Sequence, residues 1–347
     1  MPRLAGFRSL VVALTAVVLL MPLDAQPRVR ADGPAAPTLN HGAGSDWTDS
    51  KVEFIDGLQG VKPHGKGTLT LDGQGLAFTG KAASTSIAAG AITAVSVCKQ
   101  RVELGGTGGR IARMLVPDGG GIVIATFAHH RIGMLTVDFT DPQGGMHSAV
   151  FFLGATQAGE ALAHFARLPR AMQPVAAPDC RSARTEAGAL LVAEPDWQGV
   201  AVPAVYQGLT YERLVERFGR AKGVTHVYRE GQDLPAGVCP QYVLRMSITG
   251  FKQGSSIERA MLGPVGLFVG TTQMRFNAHL TDRTGAMDMN KPVKSTVRGE
   301  EESTDVARKT ATTLEKRFEK ALKKQARETA ANGAATRTIV PSMEAIP

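Results

Sequence analysis

Aromatic residues make up only 5% of this 347-residue chain: two tryptophans, four tyrosines and 13 phenylalanines. That scarcity leaves no platform on which nucleic-acid bases could stack, and no nucleic-acid partner is expected. Cysteine is equally sparse. The three cysteines, Cys98, Cys180 and Cys239, show no C-x-x-C spacing, which excludes a zinc site built on thiolates. The chain also lacks a G-x-S-x-G elbow, an H-E-x-x-H helix and any paired-carboxylate catalytic motif. No catalytic residue, cofactor or metal site is therefore assigned. Catalytic triads are recognised by geometry, so an unrecognised enzyme remains a third reading. Charge of one sign is not dominant: 39 Lys and Arg stand against 31 Asp and Glu, a net +8 that is spread along the chain. An acidic partner is permitted by that balance and not specified by it.

There is no apolar run long enough for a membrane span. The longest, Leu10 to Leu23, has about fourteen residues where a span needs roughly twenty. It follows Arg3 and Arg8 and ends at Asp24-Ala25, the pattern of a secretory signal peptide over residues 1–25. An uncleaved inner-membrane anchor is the alternative. No cysteine follows the run, so lipid anchoring is not expected, and the expected location is periplasmic or secreted. In such an oxidising compartment Cys180 and Cys239 become a candidate disulfide, leaving Cys98 as a buried structural thiol.

Residues 26–48 are rich in proline, alanine and glycine without periodicity and read as a flexible leader, with order beginning near Trp47. Short alternating segments follow: Gly67 to Leu71, Leu76 to Thr79, Thr85 to Ile87, Ile92 to Cys98, Ile111 to Val116, Ile122 to Phe127, Met134 to Phe139 and His147 to Leu153. Asp72-Gly73-Gln74-Gly75 and Asp141-Pro142-Gln143-Gly144-Gly145 supply turns. Thr156 is placed as the cap of a closing helix carrying Leu162, Phe165 and Ala166. This order over residues 49–168, with Ser86-Ile87 and Ile92 to Val95, resembles the pleckstrin-homology-like superfold and its GRAM-type relatives. The resemblance implies a β-barrel with a C-terminal helix. Lipid-binding members carry lysine and arginine in the first hairpin loop; Asp72 to Gly75 has neither, which argues against phosphoinositide binding.

A proline-rich linker, 169–179, separates a second unit over 180–329. Ala189 to Glu194 reads as a strand, Thr210-Tyr211-Glu212 as the opening of a helix with Leu214, Val215 and Phe218 inward, and Thr225 to Arg229 as a second strand. Gln241 to Gly285 has period two: Tyr242, Leu244, Met246 and Ile248 on one face, and Phe268, Thr272, Met274, Phe276, Ala278 and Leu280 on the matching face of the next strand. Asp282-Arg283-Thr284-Gly285 predicts a hairpin turn. A basic helix from Ser303 or Thr304 to Thr329 buries Val306, Thr310, Leu314, Phe318 and Leu322. It is read as a solvated surface helix, with contact to anionic lipid or an acidic partner as the functional alternative. Residues 330–347 read as a disordered tail.

The strand ending Ser247 to Lys252, then Gly254-Ser255-Ser256, Arg259 to Gly266 and the Asp282 to Gly285 turn are similar to an uncharacterised bacterial envelope domain of unknown function, over about 180–326. That family has a glycine-alternating connection, from which Pro264 and Val265 depart, and it implies an α/β fold without catalytic residues. The Gly263-Pro264-Val265-Gly266 loop lacks the lysine-serine ending of a P-loop. His129-His130 lie at a predicted hairpin tip, where adjacent side chains on a strand diverge.

The chain as a whole is thus expected to be α+β: a PH-like β-barrel, then an α/β sandwich whose antiparallel-rich sheet packs on helices. The expected function is non-enzymatic contact with an envelope protein or membrane surface, with Arg245, Gln273, Arg275, Asn277 and His279 as the interaction face. The alternative is a small-ligand or lipid-binding module using the barrel interior.

Overall fold

The computed structural model describes residues 46–103, 129–168, 180–254, 270–285, 287–298 and 302–337. The expected signal peptide, nearly all of the leader, the strands at 111–116 and 122–127, the linker 169–179 and the Gly263 to Gly266 loop lie outside the described residues. What is described is α+β, with two sheets and three α-helices.

The first sheet contains β1 (Trp47–Asp56), β2 (Gly65–Asp72), β3 (Gly75–Gly80), β4 (Ser84–Ala88), β5 (Ile92–Glu103), β6 (His129–Thr140) and β7 (Met146–Gly154). Their order is β4-β3-β2-β1-β7-β6-β5, every neighbouring pair antiparallel. Among the described residues no hydrogen-bonded ring closes it; β4 and β5 are its two ends. The expected Asp72 and Asp141 turns form, each carboxylate accepting two backbone N–H bonds: Gln74 and Gly75 on Asp72, Gln143 and Gly145 on Asp141. Strand β1 was not legible in the sequence. Register shifts at Asp49/Val52 and Phe54/Asp56 break its alternation, the effect of bulged residues that leave the ladder out of step.

One face of this sheet is filled by Phe54, Phe78 and Phe151, all fully buried, with ring centroids 5.7 to 5.9 Å apart. Tilted ring pairs at that spacing add to the area they bury. Helix α1 (Ala155–Phe165) closes the cluster with Ala158, Ala161 and Phe165. Its N-cap is Gly154, without a side-chain bond, so Thr156 is not the cap that the sequence suggested.

The second sheet has the order β12-β11-β10-β8-β9, from β8 (Arg184–Val192), β9 (His226–Arg229), β10 (Val238–Lys252), β11 (Thr272–Asp282) and β12 (Asp288–Val297). β12, β11 and β10 are antiparallel, while β10, β8 and β9 run parallel. Parallel neighbours need a crossover, which helix α2 (Ala204–Phe218) supplies between β8 and β9. The helix begins six residues before the expected Thr210. Pro203 stands at its N-cap, and the Gln207 side chain donates to Val202 O at 2.7 Å, so no Ser or Thr cap marks the start. The turn at Asp282 forms as expected: Thr284 N donates to its carboxylate at 2.9 Å, and Gly285 takes φ 73°. The predicted face of Tyr242, Leu244, Met246, Ile248, Met274, Phe276, Ala278 and Leu280 is buried. It packs on α2 and on α3 (Asp305–Arg337), through Leu214, Phe218, Leu314 and Phe318. Helix α3 continues to Arg337, past the expected end at Thr329.

Helix α2 is buried on nearly every side, including Gln207, Thr210 and Glu212. It lies between the two sheets. Ile55, Met134 and Val150 of the first sheet join the core of the second, while their sequence neighbours Phe54, Leu135 and Phe151 face the first core. Strands β6 and β7 are therefore covered on both faces. Gly208 sets the closeness of the helix: a Cβ there would stand 2.7 Å from Ser148 Cβ and 3.3 Å from Thr136 Cγ2.

Candidate functional site

Two polar arrangements stand out, one buried and one open. The buried one occupies the seam between α2 and strands β6 and β7. Strand β1 leaves β7 after the Asp56–Val150 pair, so the backbone of Met146 and Ser148 loses its strand neighbour. Unpaired backbone groups in a covered position are costly, and the second sheet's unit satisfies them. Met146 N donates to Glu230 O at 3.0 Å, Ser148 N donates to Glu212 Oε1 at 2.9 Å, and Arg229 Nη1 donates to Met146 O at 2.9 Å. Asp233 N reaches Gln143 O in the β6–β7 turn at 2.8 Å.

Glu212 and Arg229 form the centre of this seam, with Arg229 Nη1 and Nη2 donating to the two carboxylate oxygens at 2.9 and 2.7 Å. Two parallel charge-assisted bonds fix the orientation of both groups. Burial works against the charge on Arg229, yet the Glu212 carboxylate outweighs it and raises the guanidinium pKa further. The guanidinium also lies over the Tyr211 ring, 5.6 Å from its centroid. Tyr211 Oη accepts the Glu230 N–H at 2.8 Å, and burial raises the phenol pKa well above its usual value.

His147, with a side chain 1% exposed, stacks on Phe139 and pairs Nε2 with Asp141 Oδ2 at 3.1 Å. Its Nδ1 is 3.8 Å from Glu212 Oε1. Burial lowers its pKa; Glu212 and Asp141 pull it up, and Arg229 pushes it down. Ser148 Oγ donates to Asp138 Oδ1 at 2.6 Å. The serine and the histidine each face a different carboxylate, so this is not a nucleophile held by its base. Farther along the seam Arg213 Nε meets Asp56 Oδ2 at 2.9 Å, and Arg213 also reaches Glu216 at 2.7 Å. Burial lifts the Asp56 carboxyl to about 6, against the lowering by Arg213. Chemically the cluster binds two sheets to one helix. The sequence held little signal for it: Asp138 is the one charged residue between Met134 and Phe139, and Glu212 stands beside Arg213 and near Thr210.

The open arrangement is the face of the second sheet turned away from α2 and α3. Arg245, Arg275 and Asn277 are exposed, and Gln273 and His279 half-buried. The five expected residues lie side by side on two adjacent strands. Arg245 is opposite His279, Ser247 opposite Asn277 and Lys252 opposite Gln273; on the next strand Lys294 lies opposite Arg275 and Asn290 opposite His279. His279 Nε2 meets Asp288 Oδ1 at 2.9 Å. Arg245, Lys252, Arg275 and Lys294 are exposed cations on this face.

Cys180 and Cys239 form a disulfide, with Cα atoms 5.8 Å apart. It ties the lead-in to β8 to strand β10, where Cys239 pairs with Thr185. Arg283 Nη2 donates to Cys180 O at 2.6 Å beside it. Cys98 is a free, half-buried thiol whose pKa is raised by burial. His129 and His130 begin β6, and their side chains lie outside the described residues. Among the described residues no group of three or more His, Cys, Asp or Glu could hold a metal ion, and no helix is long and apolar enough to cross a membrane.

No family model matches the chain, and no curated protein does. Among solved structures, a variant of PelC from Paraburkholderia phytofirmans, described as a dodecamer, is similar to part of it. The identity is 14%, the match covers 38% of this chain and 86% of that one, and the TM-score is 0.25. A second structure, of an uncharacterized protein, shows 9% identity over 41% of this chain and 99% of that one, at a TM-score of 0.24. Likenesses at these scores carry no argument about function.

Proposed function

We propose that the chain is an exported, non-enzymatic protein of the cell envelope that works by surface contact with a protein partner, through the open face of its second sheet. The observation that carries this reading is the alignment of Arg245, Gln273, Arg275, Asn277 and His279 on one face that no element among the described residues covers, with Lys252 and Lys294 extending it. A sheet face lined by guanidinium and amide groups offers directional hydrogen bonds to a partner. The Cys180–Cys239 disulfide suits an oxidising compartment and supports export, as does the apolar run behind Arg3 and Arg8.

The first unit is read as PH-like. Support comes from its seven-strand antiparallel order, the β1–β7 pairing and the helix that follows β7 and closes one core. The second unit is read as an envelope domain of the type its Gly254 and Asp282 to Gly285 motifs resemble. Phe54, Phe78 and Phe151 fill the first core, which favours the surface over the interior as the working part.

The test is affinity capture from solubilised native envelope, with the wild-type chain and with an Arg245→Glu, Arg275→Glu variant. The wild type should retain one defined protein that the variant loses. Equal recovery by both, or no retained protein, overturns the reading. N-terminal sequencing of the exported chain checks the expected cleavage after Ala25.

A further inference from the structure

Helix α3 has two chemically distinct sides. Its inner side buries Val306, Thr310, Ala311, Leu314 and Phe318. Two of its acids are engaged toward α2: Glu315 lies 3.8 Å from Arg217, and Glu319 accepts the Lys222 N–H at 3.2 Å, both on the end of α2 and the turn beyond it. Arg317 is likewise held, donating to Pro292 O at 2.7 Å. The outer side carries five further cations. Lys316, Lys320, Lys323, Lys324 and Arg327 are all exposed and recur at helical spacing, so they form one straight ridge. Its length is about 16 Å at 1.5 Å per residue. The one exposed acid beside it, Glu328, lies 3.5 Å from Lys324.

We propose that this ridge is a docking surface for the anionic headgroups of a phospholipid membrane. It is independent of the open sheet face, which lies on the other side of the domain from the helices. Packing engages Glu315 and Glu319 against α2 and its following turn and leaves five cations outward, which gives this stretch of the helix a cation row with Glu328 as its exposed acid. Such a row complements a plane of like negative charges. It fits a protein partner poorly, because no aromatic or large apolar side chain is interleaved on it, and protein interfaces are depleted in lysine and anchored by such groups. Lysines act as point charges that need no fixed partner geometry, which suits mobile headgroups. Binding through them alone is reversible and weakens with salt.

The experiment is co-sedimentation of the full chain with vesicles of phosphatidylcholine, with and without phosphatidylglycerol, at low and high salt. The wild type should sediment only with the anionic vesicles and be released by salt. A Lys316→Gln, Lys320→Gln, Lys323→Gln, Arg327→Gln variant should bind more than about a hundredfold more weakly, at roughly fivefold per charge removed. Replacing the three lysines by arginine should keep binding, and Arg245→Gln, Arg275→Gln on the sheet face should leave it unchanged. All four positions changed are exposed, and unchanged circular dichroism and melting confirm folding of each variant. The proposal is overturned if the wild type ignores anionic vesicles, if the glutamine variant binds as the wild type does, or if the sheet-face variant loses as much. Capture of an acidic protein by the ridge, in place of vesicles, overturns it as well.

Discussion

Glu212 on α2 and Arg229 at the end of β9 meet through two bonds of 2.9 and 2.7 Å, and the same two side chains hold the free edge of β7 through Ser148 N and Met146 O. One ion pair thus joins a helix, the edge strand β9 of one sheet and the end of β7 that β1 leaves unpaired in the other.

Removing one member leaves the other charged and buried. Arg229→Met or Glu212→Gln alone should lower stability by about 3–5 kcal/mol. The double variant Glu212→Gln, Arg229→Met should lose less than the sum, because neither charge is then stranded. Urea denaturation of the four proteins measures the coupling, and additive losses would show that the pair is not a unit.

Two seam groups act in opposite directions with pH. His147 has a pKa below its ordinary 6.5 in the fold, so protonation favours the unfolded chain. Its contribution is present above pH 6.5 and lost as pH falls through the lower folded value. Asp56 is raised from 3.8 to about 6, so its contribution is present below pH 3.8 and lost as pH rises through 6. Between those limits Asp56→Asn should gain on the wild type by about 3 kcal/mol as pH rises. His147→Asn should flatten the loss on acidification below 6.5. Denaturation midpoints across this range check both signs.

Gly208 and Gly159 give a paired test of close approach. A methyl group at Gly208 would press on Ser148 and Thr136, so Gly208→Ala should cost about 1–3 kcal/mol. At Gly159 in α1 a Cβ meets nothing within 4 Å, and Gly159→Ala should stabilise by about 0.5–1 kcal/mol. Thermal melts of the two variants should move in opposite directions.

The disulfide joins residues 59 apart in sequence. In the chain-entropy account a loop of that size contributes about 4 kcal/mol. Cys180→Ser, Cys239→Ser should lose stability on that order. Alkylation of the unfolded chain should add one group without reductant, at Cys98, and three after reduction; three without reductant would refute the bridge.

The second sheet's faces were legible in the chain because a strand's side chains alternate and Tyr242 to Ile248 and Thr272 to Leu280 keep that alternation unbroken. The Asp72, Asp141 and Asp282 turns were legible for a related reason, since a carboxylate bonding its own following N–H groups is a local event. So was the disulfide, with only two cysteines placed to share it. Strand β1 and the first two turns of α2 were not. Bulges at Asp49 and Asp56 removed the alternation of the one. In the other, burial on opposite sides by two different sheets removed the amphipathic stripe by which a helix is recognised. The seam of Asp138, His147, Ser148, Glu212 and Arg229 was beyond reach for the same reason. Its members are up to 91 residues apart, from Asp138 to Arg229, and each looks ordinary beside its neighbours. Sequence alone determined which face of β10 and β11 would be buried, because that depends on neighbours two residues away. Only the tertiary structure decided that α2 lies between both sheets, because burial and charge pairing depend on which distant surface arrives.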